Sequence, residues 1–351
     1  MGLPSGTFSE SYTQDSAIIR TRAQWLLLGF GLIFAFTIPL WLPLVPGLTR
    51  FIPLTLINVM CIYIISVLGL QIMMGYCGQL SLGHAAFMAV GAYTSGLLTA
   101  KLGLPFWIAL PCAGLAAGLM GVIFGASALR LKGFYLVAST LAAQFVIMWG
   151  INSWSTVTGG DAGLRLPYPT IGSFKLDSDV KFFYLILICL IIGTFFARNL
   201  IRTRIGRAFV AVRDNELAAN VMGIRLATTK LLAFFIGCTY AGIAGSLWVH
   251  WQGIAFPELF NLWLSIWLLG YLIVGGIATT IGPFFGVILI EGLNHTLATL
   301  VTDLGAPTFA IYLRDFTFGL VIILFLLFMP RGLAHRFTLF KTYYRLWPYT
   351  Y

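Results

Sequence analysis

Side chains that could do chemistry are scarce in this chain, and those present gather in three places. The first is Gly75-Tyr-Cys-Gly-Gln-Leu-Ser-Leu-Gly-His84, where Gly75, Gly78 and Gly83 alternate with Gln79, Ser81 and His84 inside an otherwise apolar run. The second is Glu291 and His295, one helical turn apart and so on a shared face. They suit a proton relay, a substrate contact or an internal clasp; two ligands are too few for a metal. The third is a polar island in which seven cations (Arg198, Arg202, Arg204, Arg207, Arg213, Arg225 and Lys230) crowd around Asp214 and Glu216. Gln144, Asn152 and His250 are lone polar groups in other apolar runs. No residue set suggests a nucleophile, a catalytic dyad or a bound cofactor.

The elements that must hold these groups are set by composition. Of 351 residues, 59% are hydrophobic and 9% charged, with a mean hydropathy of +0.93. Soluble domains are about 25% charged, so the solvent here is lipid and the expected fold is an all-α integral membrane protein. Apolar runs long enough to cross a bilayer predict about ten transmembrane helices, at 25–46, 52–74, 82–100, 105–129, 134–151, 182–198, 231–250, 262–280, 284–301 and 315–329. Residues 1–24 form an N-terminal segment, 25–333 the membrane domain with its central loop at 198–230, and 334–351 a basic, aromatic tail suited to the membrane interface. The first apolar run is too long for a cleavable signal. Five cysteines lie in apolar segments and behave as small hydrophobes.

Ten crossings place both termini on one side. Arg20, Arg22, Arg130, Lys132, the seven island cations, Arg331, Arg336, Lys341 and Arg345 then share that side, fifteen of the 21 cations. Cationic loops stay cytoplasmic, so the termini and the central loop are expected inside. The net charge of +10 is thus a topology signal and does not call for nucleic acid. The outer loop 152–181, with Pro167 and Pro169, is long enough to cap a cavity. Gly114, Gly118, Gly121 and Gly125 form a small-residue stripe suited to close helix packing. Similar Gly-interrupted runs around 75–91 and 270–286 hint at two related halves.

At membrane depth, interrupted backbone survives only when buried in protein or lining a water-filled cavity. The Gly75–His84 segment therefore reads as a pathway-lining break or as a tight turn with close packing. Pathway-lining candidates are Gly75, Gly78, Gln79, Ser81, His84, Gln144, Glu291 and His295. In the central loop, Asp214 is a good N-cap and Gly223 a good C′ residue, which predicts a two-turn helix over 215–222. Ala218, Ala219, Val221 and Met222 give it an apolar side, while Arg213, Asp214 and Glu216 are expected to stay wet. So short a helix must pack on something, either a partner or anionic lipid.

The stretch GYCGQLSLGHAAFMAVGAY at 75–93 resembles the signature of the inner-membrane permeases of branched-chain amino-acid ABC importers, the LivM-like subunits. Further matches follow in order: Leu129-Arg-Leu-Lys-Gly-Phe-Tyr135, Thr158-Gly-Gly-Asp-Ala-Gly163, Gly206 to Gly223, and Phe328-Met-Pro-Arg-Gly-Leu333. Together they cover roughly 55–335. At Ala142-Ala-Gln144 this chain departs from the phenylalanine-glycine-glutamate run the family often has. The resemblance implies an ABC importer permease with a broken or re-entrant Gly-rich hairpin, working with a homologous permease (a heterodimer), two cytoplasmic ABC ATPases and an external substrate-binding protein. It makes the central loop the coupling element to the ATPase, with Arg207, Arg213, Asp214, Asn215, Glu216, Ala218, Ala219, Met222 and Gly223 at the contact. No GxxxxGK[ST] motif occurs, so ATP would be used by separate subunits. The resemblance extends to importers of urea or short amides; an ion-coupled secondary carrier is a reading from another class.

Overall fold

The computed structural model describes residues 22–44, 46–131, 133–171, 174–303 and 307–346. The chain is helical almost throughout, as backbone in lipid must be. Its helices are α1 (Arg22–Trp41), α2 (Pro46–Phe51), α3 (Leu54–Leu70), α4 (His84–Ala100), α5 (Phe106–Gly125), α6 (Phe134–Ser153), α7 (Ser155–Thr158) and α8 (Asp179–Arg202). There follow α9 (Arg204–Asp214), α10 (Glu216–Val221), α11 (Leu226–Gln252), α12 (Leu262–Gly275), α13 (Gly282–Asp303), α14 (Pro307–Phe328) and α15 (Gly332–Leu346). A π-helical turn, Gln71–Tyr76, extends α3.

Among the described residues, seven helices are long and apolar enough to cross a membrane, or eight when the 45° bent pair Tyr312–Phe328 and Gly332–Tyr343 counts as one. Ten crossings were expected from sequence. The difference lies at α4, only 17 residues and built of small side chains, and at the first run, where the apolar helix is the short Gly29–Leu44. Residues 1–21 and 347–351 lie outside the described residues, so the N-terminal segment and the end of the tail are expectations only.

The core is organised around α11. Glycines let neighbouring backbones approach it: a Cβ added at Gly69 of α3 would sit 2.4 Å from the Gly237 carbonyl, one at Gly91 of α4 would sit 2.3 Å from the Gly242 Cα, and one at Gly245 would sit 2.0 Å from the Met88 carbonyl. The stripe Gly114, Gly118, Gly121 and Gly125 packs α5 onto Phe234, Phe235, Cys238, Thr239 and Ile243 of α11. This is the close packing the spacing predicted, and in lipid it supplies the van der Waals contact that hydrophobicity cannot. At the end carrying Lys101, the 152–181 loop folds over the bundle. There β1 (Leu164–Arg165) pairs with β4 (Ile254–Ala255), and β2 (Thr170–Ile171) forms a hairpin with β3 (Phe174–Lys175). The Trp251 indole donates to Asp179 Oδ1 at 2.9 Å.

Candidate functional site

The interruption between α3 and α4 is the first part of the site. α3 runs on through its π-turn to Tyr76, yet α4 starts at His84 deep within the bundle. The His84 ring Nε2 lies 3.0 Å from the carbonyl of Ser66, and the Ser66 hydroxyl lies 3.1 Å from Met88 Sδ. Ser66 stands nearly three turns, roughly 15 Å, back from Tyr76 at 1.5 Å per residue. The chain between Cys77 and Gly83 therefore links α3 to α4 without helical structure.

A helix that begins inside apolar protein leaves its first N–H groups without partners. Here other helices supply them. Gln144 Oε1 accepts from the Ala86 N–H at 2.9 Å and from the Ser265 hydroxyl at 3.2 Å. Ser265 Oγ accepts from Ala85 N–H at 2.9 Å, and Thr140 Oγ1 from Leu82 N–H at 3.1 Å. Gln144 Nε2 donates onward to the Phe260 carbonyl at 2.8 Å. An amide at 144 can accept and donate at once, which an ionised carboxylate cannot. Gln79, Ser81, His84 and Gln144 are all buried. Asn152, eight residues on, is exposed.

Gln144→Leu is expected to lower the melting temperature of the purified protein, since each orphaned buried partner costs roughly 1–3 kcal/mol. Gln144→Glu, which keeps the acceptor, should fall between the two. An unchanged melting temperature in Gln144→Leu would remove the capping role.

The central loop is the second part. Two helices form it. α9, which the sequence reading did not separate out, buries Phe209 and Val212. The short helix is Glu216–Val221, and its N-cap is Asn215, whose side chain accepts from the Ala218 N–H at 3.1 Å. Asp214 was expected to cap it. Instead Asp214 is the last residue of α9, and its carboxylate accepts from Arg213 Nε at 3.0 Å and Nη2 at 2.8 Å. Gly223 has φ +84°, the left-handed C′ conformation expected of it.

Glu216 was expected to be wet. It is instead half-buried and pairs with Lys230 Nζ at 2.7 Å, and the Lys230 side chain is itself only 3% exposed. The apolar side is redistributed as well: Ala219 faces inward, whereas Leu217, Val221 and Met222 are 76%, 86% and 81% exposed. Ala218 and Arg207 are exposed too. Arg213 also reaches inward, its Nη1 donating to the Gly75 carbonyl at 3.0 Å. Loop and interruption are therefore in direct contact.

Glu291 is buried and accepts a hydrogen bond from the Tyr271 hydroxyl. His295 is half-buried beside Thr299, so the structure pairs Glu291 with α12 rather than with His295. Asn294, missed in the sequence, is 3% exposed with both amide atoms unpartnered. His250 donates through Nδ1 to the Ser246 carbonyl at 2.9 Å. Among the described residues no group of three His, Cys, Asp or Glu could hold a metal.

The model of a family described as "Branched-chain amino acid transport system / permease component" matches residues 52–326. The high-affinity branched-chain amino acid transport system permease protein LivM of Escherichia coli is 33% identical over 296 residues, 78% of this chain and 67% of that protein. A probable branched-chain amino acid transport permease protein, LivH of Methanocaldococcus jannaschii, is 27% identical over 62% of this chain and 70% of its own. The autoinducer 2 import system permease protein LsrC of Salmonella typhimurium is 26% identical over 70% of both chains. No solved structure matches. The match spans both the α3–α4 interruption and the central loop, and the chain belongs to the branched-chain amino acid transport system permease family.

Proposed function

We propose that this chain is the membrane-spanning subunit of an ATP-driven importer for branched-chain or related amino acids in the bacterial cytoplasmic membrane. It supplies the pathway together with a homologous permease subunit, and a separate binding protein delivers substrate to the 152–181 side. Its ten crossings comprise the long helices plus α4 and the first run, with both termini cytoplasmic. The chain catalyses no bond chemistry and holds no cofactor; ATP is used by two partner subunits that seat on α10.

The observation that carries this reading is the outward face of α10. A six-residue helix cannot hold itself together in water, yet this one is anchored by an ion pair to the buried Lys230 and presents Leu217, Val221 and Met222 to its surroundings. A contiguous exposed apolar patch on a rigid polar loop marks a protein contact. The positive side of the loop also keeps it at the cytoplasmic surface.

A relative that imports autoinducer 2 shows how widely cargo varies across related permeases, and urea or a short amide is the next candidate cargo. An ion-coupled carrier is disfavoured because such proteins place several acids or a cation-coordinating break at mid-membrane, and the broken segments here carry none. Uptake by membrane vesicles is expected to stop on ATP depletion and to survive collapse of the ion gradients. The opposite result would turn the reading into a secondary carrier.

A further inference from the structure

Two interrupted segments of the chain meet at the end of the bundle that carries the central loop. One is the π-turn and the non-helical stretch after it, Gln71–Gly83. The other is the connection between α12 and α13, residues 276–281, the second of the two Gly-rich runs that share a pattern in the sequence. A Cβ added at Gly75 would stand 2.9 Å from the Ala278 amide nitrogen, so the two backbones touch.

One side chain joins them by hydrogen bonds. Gln71, 1% exposed, donates through Nε2 to the Thr279 carbonyl at 2.9 Å, with the Gly276 carbonyl at 3.5 Å. An amide buried in an apolar span costs free energy unless it is used, and leucine or methionine would have filled the volume. The backbone it grips is strained. Ala278 has φ +63° and is the one non-glycine residue with positive φ among the described residues. Such a conformation costs of order 1–3 kcal/mol and persists where the surroundings over-determine it. The π-turn on the other side is itself a form frequently found at functional positions.

Arg213 adds the central loop to this group. Besides its Nη1 bond to the Gly75 carbonyl at 3.0 Å, it packs over Gly78, which has φ +73° and where an added Cβ would lie 3.0 Å from Arg213 Cγ. The α14–α15 elbow closes the set, because Gly332 lies against Gly276 so tightly that a Cβ there would be 2.4 Å from the Gly276 Cα.

We propose that Arg213 and Gln71 are positioning residues of the transport cycle. Arg213 ties the loop to the first break and Gln71 ties the first break to the second, so that displacement of the loop moves both breaks as one body. A two-state element biased from one end is what coupling between distant sites requires, and these two side chains make the moving element continuous. The inference rests on the proposal that α10 receives the ATPase, and it assigns the residues that pass the motion on.

The test uses the complete complex in liposomes, with ATP hydrolysis and uptake measured in the same vesicles. For Gln71→Leu we expect assembly with the ATPase subunits and hydrolysis within about twofold of wild type, while uptake per ATP falls about tenfold, inside the 5–150-fold range of a lost coupling; Arg213→Gln should lower uptake per ATP by a similar factor. Arg213→Lys, which can still reach the Gly75 carbonyl, should recover part of it; a purely structural loss would track melting temperature instead.

Spin labels on Arg204→Cys and Ile281→Cys, both exposed positions, give the second readout. Their separation should stay the same with and without nucleotide in the otherwise native chain and should change in Gln71→Leu. Wild-type uptake per ATP in Gln71→Leu, or a nucleotide-dependent separation in the native chain as large as in the variant, overturns the proposal. If instead no ATPase subunit copurifies with the native chain, it is the docking reading that fails.

Discussion

A Val221→Glu chain is expected to insert and fold as the native one does, and to lose its ATPase subunit on purification. Val221 is 86% exposed at the last position of α10, one turn from Leu217 at 76% and next to Met222 at 81%. None of the three supports the loop from within, so the variant leaves the fold intact. Burying one such side chain in a partner groove is worth about 1.5–3 kcal/mol, and forcing an unpaired carboxylate into that groove adds a further penalty. Affinity should therefore drop by at least about a hundredfold, at 1.4 kcal/mol for each factor of ten. Uptake would fall to background with the amount of chain in the membrane unchanged. Ala219→Glu makes the contrast: Ala219 is 4% exposed, so a charge there should unseat α10 itself and lower the melting temperature. Normal copurification and uptake by Val221→Glu would show that this face contacts no partner.

The second large effect is expected at Lys230. Its side chain is 3% exposed and its ammonium lies 2.7 Å from Glu216 Oε1, so the pair pins the first residue of α10 to the first turns of α11. Removing the buried lysine takes away the closest counter-charge of a half-buried carboxylate and costs up to about 3–5 kcal/mol. Lys230→Leu alone should lower the melting temperature sharply and loosen the loop to proteolysis. Lys230→Leu with Glu216→Leu removes both charges and should restore most of the stability, because apolar replacement of a buried pair is often neutral. If the double variant regains stability and uptake, the pair is an anchor. If it regains stability while uptake stays lost, Glu216 also serves the partner. A single variant as stable as the native chain would mean that the pair is not buried in solution.

How much of this was legible in the residues differs from feature to feature. The break at Gly75–His84 was plain, because glycines and hydrogen-bonding side chains in an apolar run have few explanations in lipid. The glycine stripe of α5 was plain for the same reason: spacing alone puts Gly114, Gly118, Gly121 and Gly125 on one face. The loop helix was legible to within one residue at either end. Its cap was misassigned because Asp214 and Asn215 are both good caps, and what decides between them is the Arg213 guanidinium that engages the Asp214 carboxylate. Gln71 was overlooked although its polarity within the run Leu54–Met74 was a visible signal.

Composition and hydropathy thus determined by themselves that this is an α-helical membrane protein, roughly where its long apolar helices run and where one apolar run is interrupted. Each of these follows from a local cost, the cost of exposing polar backbone or charge to lipid, and a local cost can be read from neighbours in sequence. Which polar residues serve the fold and which remain free was decided only by the tertiary structure. Gln144 closes the start of α4 from another helix, Lys230 disappears beneath Glu216, Arg213 turns inward to Gly75, and Leu217, Val221 and Met222 are left outside. The first and third of these contacts join residues 58 and 138 positions apart, and only the packing of the helices brings them within reach.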